Sequence, residues 1–198
     1  MKRAVVAAWR YAALLSRPST RANLRQLRER GETVAALVIR DATAADIPAL
    51  ARLHVTTWNA TYAPLLMKGP SVEIREWQWR QAFEKQDGSW FCFVVERTNG
   101  ELVGFAKAVV CKEGEFGGEL SKIYLLRDYQ RIGLGRRLLR AVVDRFLSQG
   151  ITSMLLFGDA RNPSSLVWRA LGGEKLDEDP GVGNYGWRDL RTLAARLE

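Results

Sequence analysis

What the chain lacks narrows the field first. It holds one histidine, His54, and two cysteines, Cys92 and Cys111, too few for a His/Cys metal cluster, so no metal is expected. Both cysteines lie in apolar, strand-like segments, where a buried, reduced thiol is expected rather than a disulfide or a reactive site. No apolar run approaches the roughly 20 residues that span a bilayer, so no transmembrane segment is expected. Acidic residues are missing altogether from residues 1–28, which carry Lys2, Arg3, Arg10, Arg17, Arg21, Arg25 and Arg28. The net charge is +8, and these seven cations leave +1 for the remainder. The body is close to neutral, and a basic groove for nucleic acid is not indicated.

What is present reads as an ordinary globular protein. The 198 residues are 47% apolar and 26% charged, which suits one domain with an appendage. The appendage is the basic start, residues 1–33. A signal or transit peptide would share its basic, apolar character, but Arg10 interrupts the apolar run and no clean small-residue cleavage site follows. The expectation is a helical extension, broken near Pro18 and Ser19-Thr20, that packs on the body or on a second subunit in a homodimer. A cytoplasmic location is expected.

Residues 34–198 show regular patterning. "ALVIRDAT" reads as a strand, and a helix with Thr43 as its cap follows, with Ile47, Leu50 and Leu53 at helical spacing. "SVEIREWQWRQAFEK" reads as a second helix. Three strands, "SWFCFVVER", "ELVGFAKAVVC" and "ELSKIYLL", are joined at "TNG" and "KEGEFGG", both hairpin signals. A helix to about Ser148, the strand "SMLLFGD", a short helix in "NPSSLVWRALGG" and a strand at "NYGWRDL" complete the chain. The order β-α-α-β-β-β-α-β-α-β predicts an α/β (or α+β) domain, a mixed central sheet flanked by helices.

The chemistry centres on "IYLLRDYQRIGLGRRLL". A strand runs into Gly133-x-Gly135 at a helix start, where unpaired backbone N–H groups and the helix dipole favour an anion. A dinucleotide fingerprint would need a third glycine where Leu138 stands, and a P-loop would need Gly-Lys-Ser/Thr. Gln/Arg-x-x-Gly-x-Gly/Ala fits at Gln130, Gly133 and Gly135. With the element order and the downstream "DARNPSSLVWRALGG", the chain resembles the GNAT superfamily of Gcn5-related N-acetyltransferases over about residues 37–190.

That resemblance implies acetyl-CoA as co-substrate and an amine as acceptor. Backbone amides of Gln130, Arg131, Ile132, Gly133, Leu134, Gly135 and Arg136 would hold the pyrophosphate. Ile123 and Leu125, flanking Tyr124, would pair with the pantetheine arm like a missing strand, and the Leu125 amide would face the acetyl oxygen. Asn162 and Ser165 would lie along the arm; Asn162 reads equally as a helix cap. Glu119 matches the position of a base glutamate in the histone-acetylating branch, and a carboxylate there suits amine deprotonation. His54, Trp58 and Tyr62, four residues apart, share one helix face and match an acceptor-cleft row. One departure stands out. Trp168 replaces the family's usual acid tyrosine, and an indole cannot serve as that acid, which leaves Tyr124, Tyr129, Tyr185 or water. The alternative to an enzyme is a degenerate acyl-CoA-binding module that regulates through its basic tail.

Overall fold

The computed structural model describes residues 20–65, 67–85, 87–162, 165–179 and 181–198. The expected N-terminal helix with Val5, Trp9, Leu14 and Leu15 lies outside the described residues, as do Pro163 and Ser164.

Seven strands form one sheet in the order β1-β2-β3-β4-β5-β7-β6. They are β1 (Val38–Asp41), β2 (Trp90–Glu96), β3 (Leu102–Val110), β4 (Gly118–Leu125), β5 (Met154–Leu156), β6 (Glu174–Lys175) and β7 (Tyr185–Trp187). β4 and β5 run parallel and the other neighbours antiparallel. The helices are α1 (Thr20–Glu29), α2 (Ile47–Tyr62), α3 (Val72–Glu84), α4 (Leu134–Ser148), α5 (Ser165–Ala170) and α6 (Leu190–Arg196). The mixed α/β architecture is as the sequence predicts, with two differences at the end. The two-residue β6 is too short to show a period. After Trp187, Asp189 caps the Arg191 amide and starts α6 where the sequence reading continued a strand.

Alternation along β2 explains the layering. Phe91, Phe93 and Val95 enter one core, shared with α4 and α6, while Cys92 and Val94 enter a second core under α2 and α3. α4 buries Leu134, Leu138, Leu139, Val142, Val143 and Phe146 as one stripe, and full burial of such a side chain contributes roughly 1.5–3 kcal/mol. Thr43 caps a short 3-10 turn, Ala44–Asp46, that leads into α2; it exchanges hydrogen bonds with Asp46, which in turn grips Arg40.

The extension is not a loose tail where it is described. Leu27 on α1 is 1% exposed within the larger core. Asn23, equally buried, donates its amide to the carbonyls of Arg127 (3.0 Å) and Gln130 (2.8 Å). Arg30 pairs with Asp128, and Glu32 receives Arg97 and the Tyr129 hydroxyl.

Candidate active site

The cleft begins where two parallel strands part. β4 and β5 are in register only at Gly118 with Met154 and Glu119 with Leu155, after which β4 continues alone to Leu125. The Leu126 amide donates to Val103 (2.8 Å), so residues 122 and 124 direct their backbone groups at β3 in the antiparallel alternation. Ile123 and Leu125 direct theirs the other way, into the gap. A bulge between Lys107 and Ala108, with Ser121 as the extra residue, sets this phase. The strand edge at Ile123 and Leu125 is therefore open toward the gap. The Leu125 carbonyl accepts a 3.0 Å bond from the Gln130 side chain.

Beyond the edge, the 3-10 turn Arg127–Tyr129 leads through Gln130 to α4. Arg131 has φ 60° and Gly133 φ 91°, so the loop turns through the left-handed region just before the helix. Gly133 caps α4 without a side-chain bond, and the Arg137 amide is the one that donates back to the Gly133 carbonyl (3.1 Å). The uncapped amides ahead of it meet the positive end of the dipole. Gly135 has an ordinary φ, and a Cβ there would meet Leu125 at an unstrained 3.7 Å. The fold itself does not demand glycine at 135; an approaching ligand would. The flanking arginines do not supply the anion site. Arg136 bonds the Arg196 carbonyl, and Arg137 clamps the carbonyls of Val34 (2.8 Å) and Leu37 (3.0 Å).

On the opposite face of β4, His54, Trp58 and Tyr62 gather around Tyr124, while Glu119 lies five residues back near the start of the strand. Glu119, half-buried, sits opposite Val109 on β3. His54 is 2% exposed, with its ring 5.7 Å from that of Tyr124 and 5.1 Å from that of Phe105. Burial, aided by the charges of Arg75, Lys122 and Lys107, drives its pKa down to about 3, so the imidazole is neutral at ordinary pH. Trp58 and Tyr62 stack at 5.0 Å, and Tyr62 hydrogen-bonds Tyr124. Burial raises the Tyr124 pKa, which keeps the phenol protonated.

The remaining candidates separate. Tyr129 is buried against Arg30 and Glu32, and Tyr185 is buried in β7, so neither adjoins Tyr124. Trp168 on α5 packs edge-on to Trp187 at 6.2 Å, filling core space. Asn162 lies on the turn before α5, its N–H donating to Asp159 (2.9 Å), and Ser165 opens α5. Cys92 is free and buried, its thiol pKa pushed up by burial; Cys111 is free and half-buried. Among the described residues no cluster of His, Cys, Asp and Glu could hold a metal, and no helix is long and apolar enough to cross a membrane.

Sequence reasoning missed Arg75, Trp79, Lys107 and Lys122, which line a pocket of about 280 Å³ with His54 and Gln78. A signal existed: "FAKAVV" and "LSKIYL" each embed a lysine in an apolar strand. A larger cavity of about 420 Å³ adjoins Leu125, between the 127–129 turn and α2.

This combination of a parted parallel pair, an uncapped glycine-containing helix start and a carboxylate on the cleft strand defines a class. The Acetyltransferase (GNAT) family matches residues 47–172, more than half of the chain, and the protein belongs to that family. Among its relatives, the uncharacterised N-acetyltransferase YuaI of Bacillus subtilis is 30% identical over 81% of this chain and 98% of its own length. An L-methionine sulfoximine/L-methionine sulfone acetyltransferase of Pseudomonas aeruginosa is 29% identical over 81% of this chain and 94% of its own. In fold the chain is similar to the PaiA N-acetyltransferase of Thermoplasma acidophilum, solved in complex with coenzyme A; the TM-score is 0.57 and the identity 18%, over 76% of this chain and 97% of that one. An N-acetyltransferase is thereby favoured over the binding-only alternative.

Proposed function

We propose that this chain transfers the acetyl group of acetyl-CoA to the primary amine of a small molecule. The observation that carries the reading is the open edge of β4, with Ile123 and Leu125 turned into the gap and leading to the uncapped α4 start. The residues fit the co-substrate. An extended amide-bearing arm adds to a free strand edge as a peptide does, and a pyrophosphate suits bare helix-start amides. Gly135 leaves room for close approach.

Bound acetyl-CoA supplies an activated acetyl thioester. The protein's own groups do the rest. Glu119 takes a proton from the acceptor's ammonium, directly or through water, because only the neutral amine is a nucleophile. The Leu125 N–H donates to the acetyl oxygen as negative charge develops there. As the C–S bond breaks, Tyr124, held protonated by burial beside Tyr62, passes its proton to the departing sulfur and regains one from the nitrogen newly bonded to the acetyl carbon, in place of the absent acid at Trp168. His54 is held neutral and packs behind Tyr124, and Trp58 and Tyr62 wall the cleft. A recessed pocket of about 280 Å³ favours a small acceptor over a folded protein surface. The test is release of free thiol from acetyl-CoA across a panel of amines, with the acetylated amine identified by mass. Coenzyme binding without thiol release from any amine would refute the reading.

A further inference from the structure

The pocket lined by His54, Arg75, Gln78, Trp79, Lys107 and Lys122 contains three cations and no acid. Lys107 and Lys122 are direct cross-strand partners on β3 and β4, an arrangement that is destabilising for like charges. The Lys107 ammonium lies 4.7 Å from the Trp90 ring centroid and 5.3 Å from that of Trp79, which offsets part of its desolvation. Among the described residues Lys122 makes a 3.4 Å contact to Ser121 Oγ and no ion pair. Burial lowers the pKa of both lysines, and repulsion from Lys107 and Arg75 lowers that of Lys122 further.

A second, independent observation concerns hydrogen bonds. His54 Nδ1, Arg75 Nε, Trp79 Nε1 and Trp90 Nε1 are buried without a partner in the structure. His54 and Trp79 are 2% and 3% exposed. The arginine and indole N–H groups can only donate, and unsatisfied buried donors are uncommon in native proteins. Of these, Arg75 and Trp79 belong to the pocket's lining, which thus combines positive charge with unpartnered N–H donors at its wall; Trp90 lies outside it. Glu119 acts on both lysines from a distance, but one carboxylate against three cations leaves the site at +2.

The pocket also lies beside the proposed reaction centre. Lys122 is two residues from Tyr124 along β4, and the His54 ring bridges the pocket to the Tyr124 ring at 5.7 Å. Lys122 thus stands between Glu119 and Tyr124 along the strand. We propose that the pocket is an anion subsite and that the acceptor is an amine bearing a carboxylate, an amino acid or close analogue. The proposal rests on the acetyltransferase reading above. A carboxylate would accept from N–H donors of the lining and offset one of the two lysine charges, whereas a polyamine would meet like charge.

The experiment separates binding from turnover. With coenzyme A bound and no acetyl group present, the common L-amino acids and L-methionine sulfone are titrated singly, each beside its carboxamide. Tryptophan fluorescence reports binding through Trp79 and Trp90. At least one acid should saturate the signal, with its carboxamide at least tenfold weaker. Lys122→Met and Arg75→Gln should each weaken that acid at least tenfold and leave coenzyme affinity within twofold. Methionine conserves the volume of a largely buried lysine, and an undiminished urea midpoint confirms that Lys122→Met folds. If no acid binds, or if acids and carboxamides bind alike, the subsite is overturned whatever the transferase activity. Thiol release from acetyl-CoA is then scored separately. Release with spermidine but with no acid overturns the subsite and leaves the reaction standing. Acids that bind yet give no release sink the transferase reading and leave the subsite standing.

Discussion

Acidification should destabilise this protein through one side chain before its paired carboxylates matter. His54 is the sole histidine and is 2% exposed, and its pKa falls from an ordinary 6.5 to about 3 because burial disfavours the imidazolium. Below pH 6.5 the unfolded chain binds a proton at His54 that the folded chain refuses. The contribution is therefore complete above pH 6.5 and is lost as the pH drops toward 3. Each pH unit in that window costs about 1.4 kcal/mol, so moving from pH 7 to pH 5 removes about 2 kcal/mol. That is a large part of a typical 5–15 kcal/mol. Asp46, Asp159 and Asp189 have carboxyl pKa values held below the usual 3.8 by their partners and lose their contributions only at lower pH. The assay is urea unfolding at pH 7, 6 and 5 at fixed ionic strength, for wild type and His54→Leu. Leucine keeps much of the volume and cannot titrate, so its stability should change by under about 0.5 kcal/mol across the same range. Equal losses in the two proteins would refute the reasoning, because the imidazole would then be taking a proton inside the fold.

Other expectations follow from the same geometry. Glu119→Gln should lower turnover by about 10²-fold near neutral pH and recover toward wild type at high pH, where the amine is already deprotonated; pH–rate profiles decide this. Tyr124→Phe should slow thiol release while leaving coenzyme affinity within about twofold; unchanged turnover would shift the proton to water. Gly135→Leu should abolish the rise in melting temperature given by acetyl-CoA while the apoprotein melts normally, since a Cβ at this position meets nothing closer than Leu125 at 3.7 Å. Asn23→Ala removes two part-buried hydrogen bonds to backbone carbonyls and should cost about 1–3 kcal/mol in urea unfolding, with weaker coenzyme binding by calorimetry.

The parts of the fold that were legible in the sequence are those with local causes. The hairpins of β2, β3 and β4 follow from alternation and turn residues, and the α4 start follows from six residues of loop. The stripe Leu134, Leu138, Leu139, Val142, Val143 shows its own period. The cation pocket was hidden because it gathers side chains from α2, α3, β3 and β4, and no single segment carries its pattern. The side chains of Arg136 and Arg137 bond carbonyls at residues 196, 34 and 37, distances along the chain that no motif encodes. The packing of Trp168 on Trp187 joins residues 19 apart and could be seen only once the sheet was formed. The extension's basic charge drew attention away from Asn23 and Leu27, the residues that fasten it.

That fastening gives the first helix a thermodynamic stake in the ligand. Asn23 holds the carbonyls of Arg127 and Gln130, at the base of the loop whose amides face the proposed pyrophosphate. Two events that order the same loop must help each other, and by the same factor in each direction. A coenzyme that stiffens residues 130–136 tightens the grip on α1, and whatever engages α1 from outside alters coenzyme affinity in return. The basic segment precedes that helix in sequence, so a partner that seizes it would be coupled to the 130–136 loop without touching the cleft.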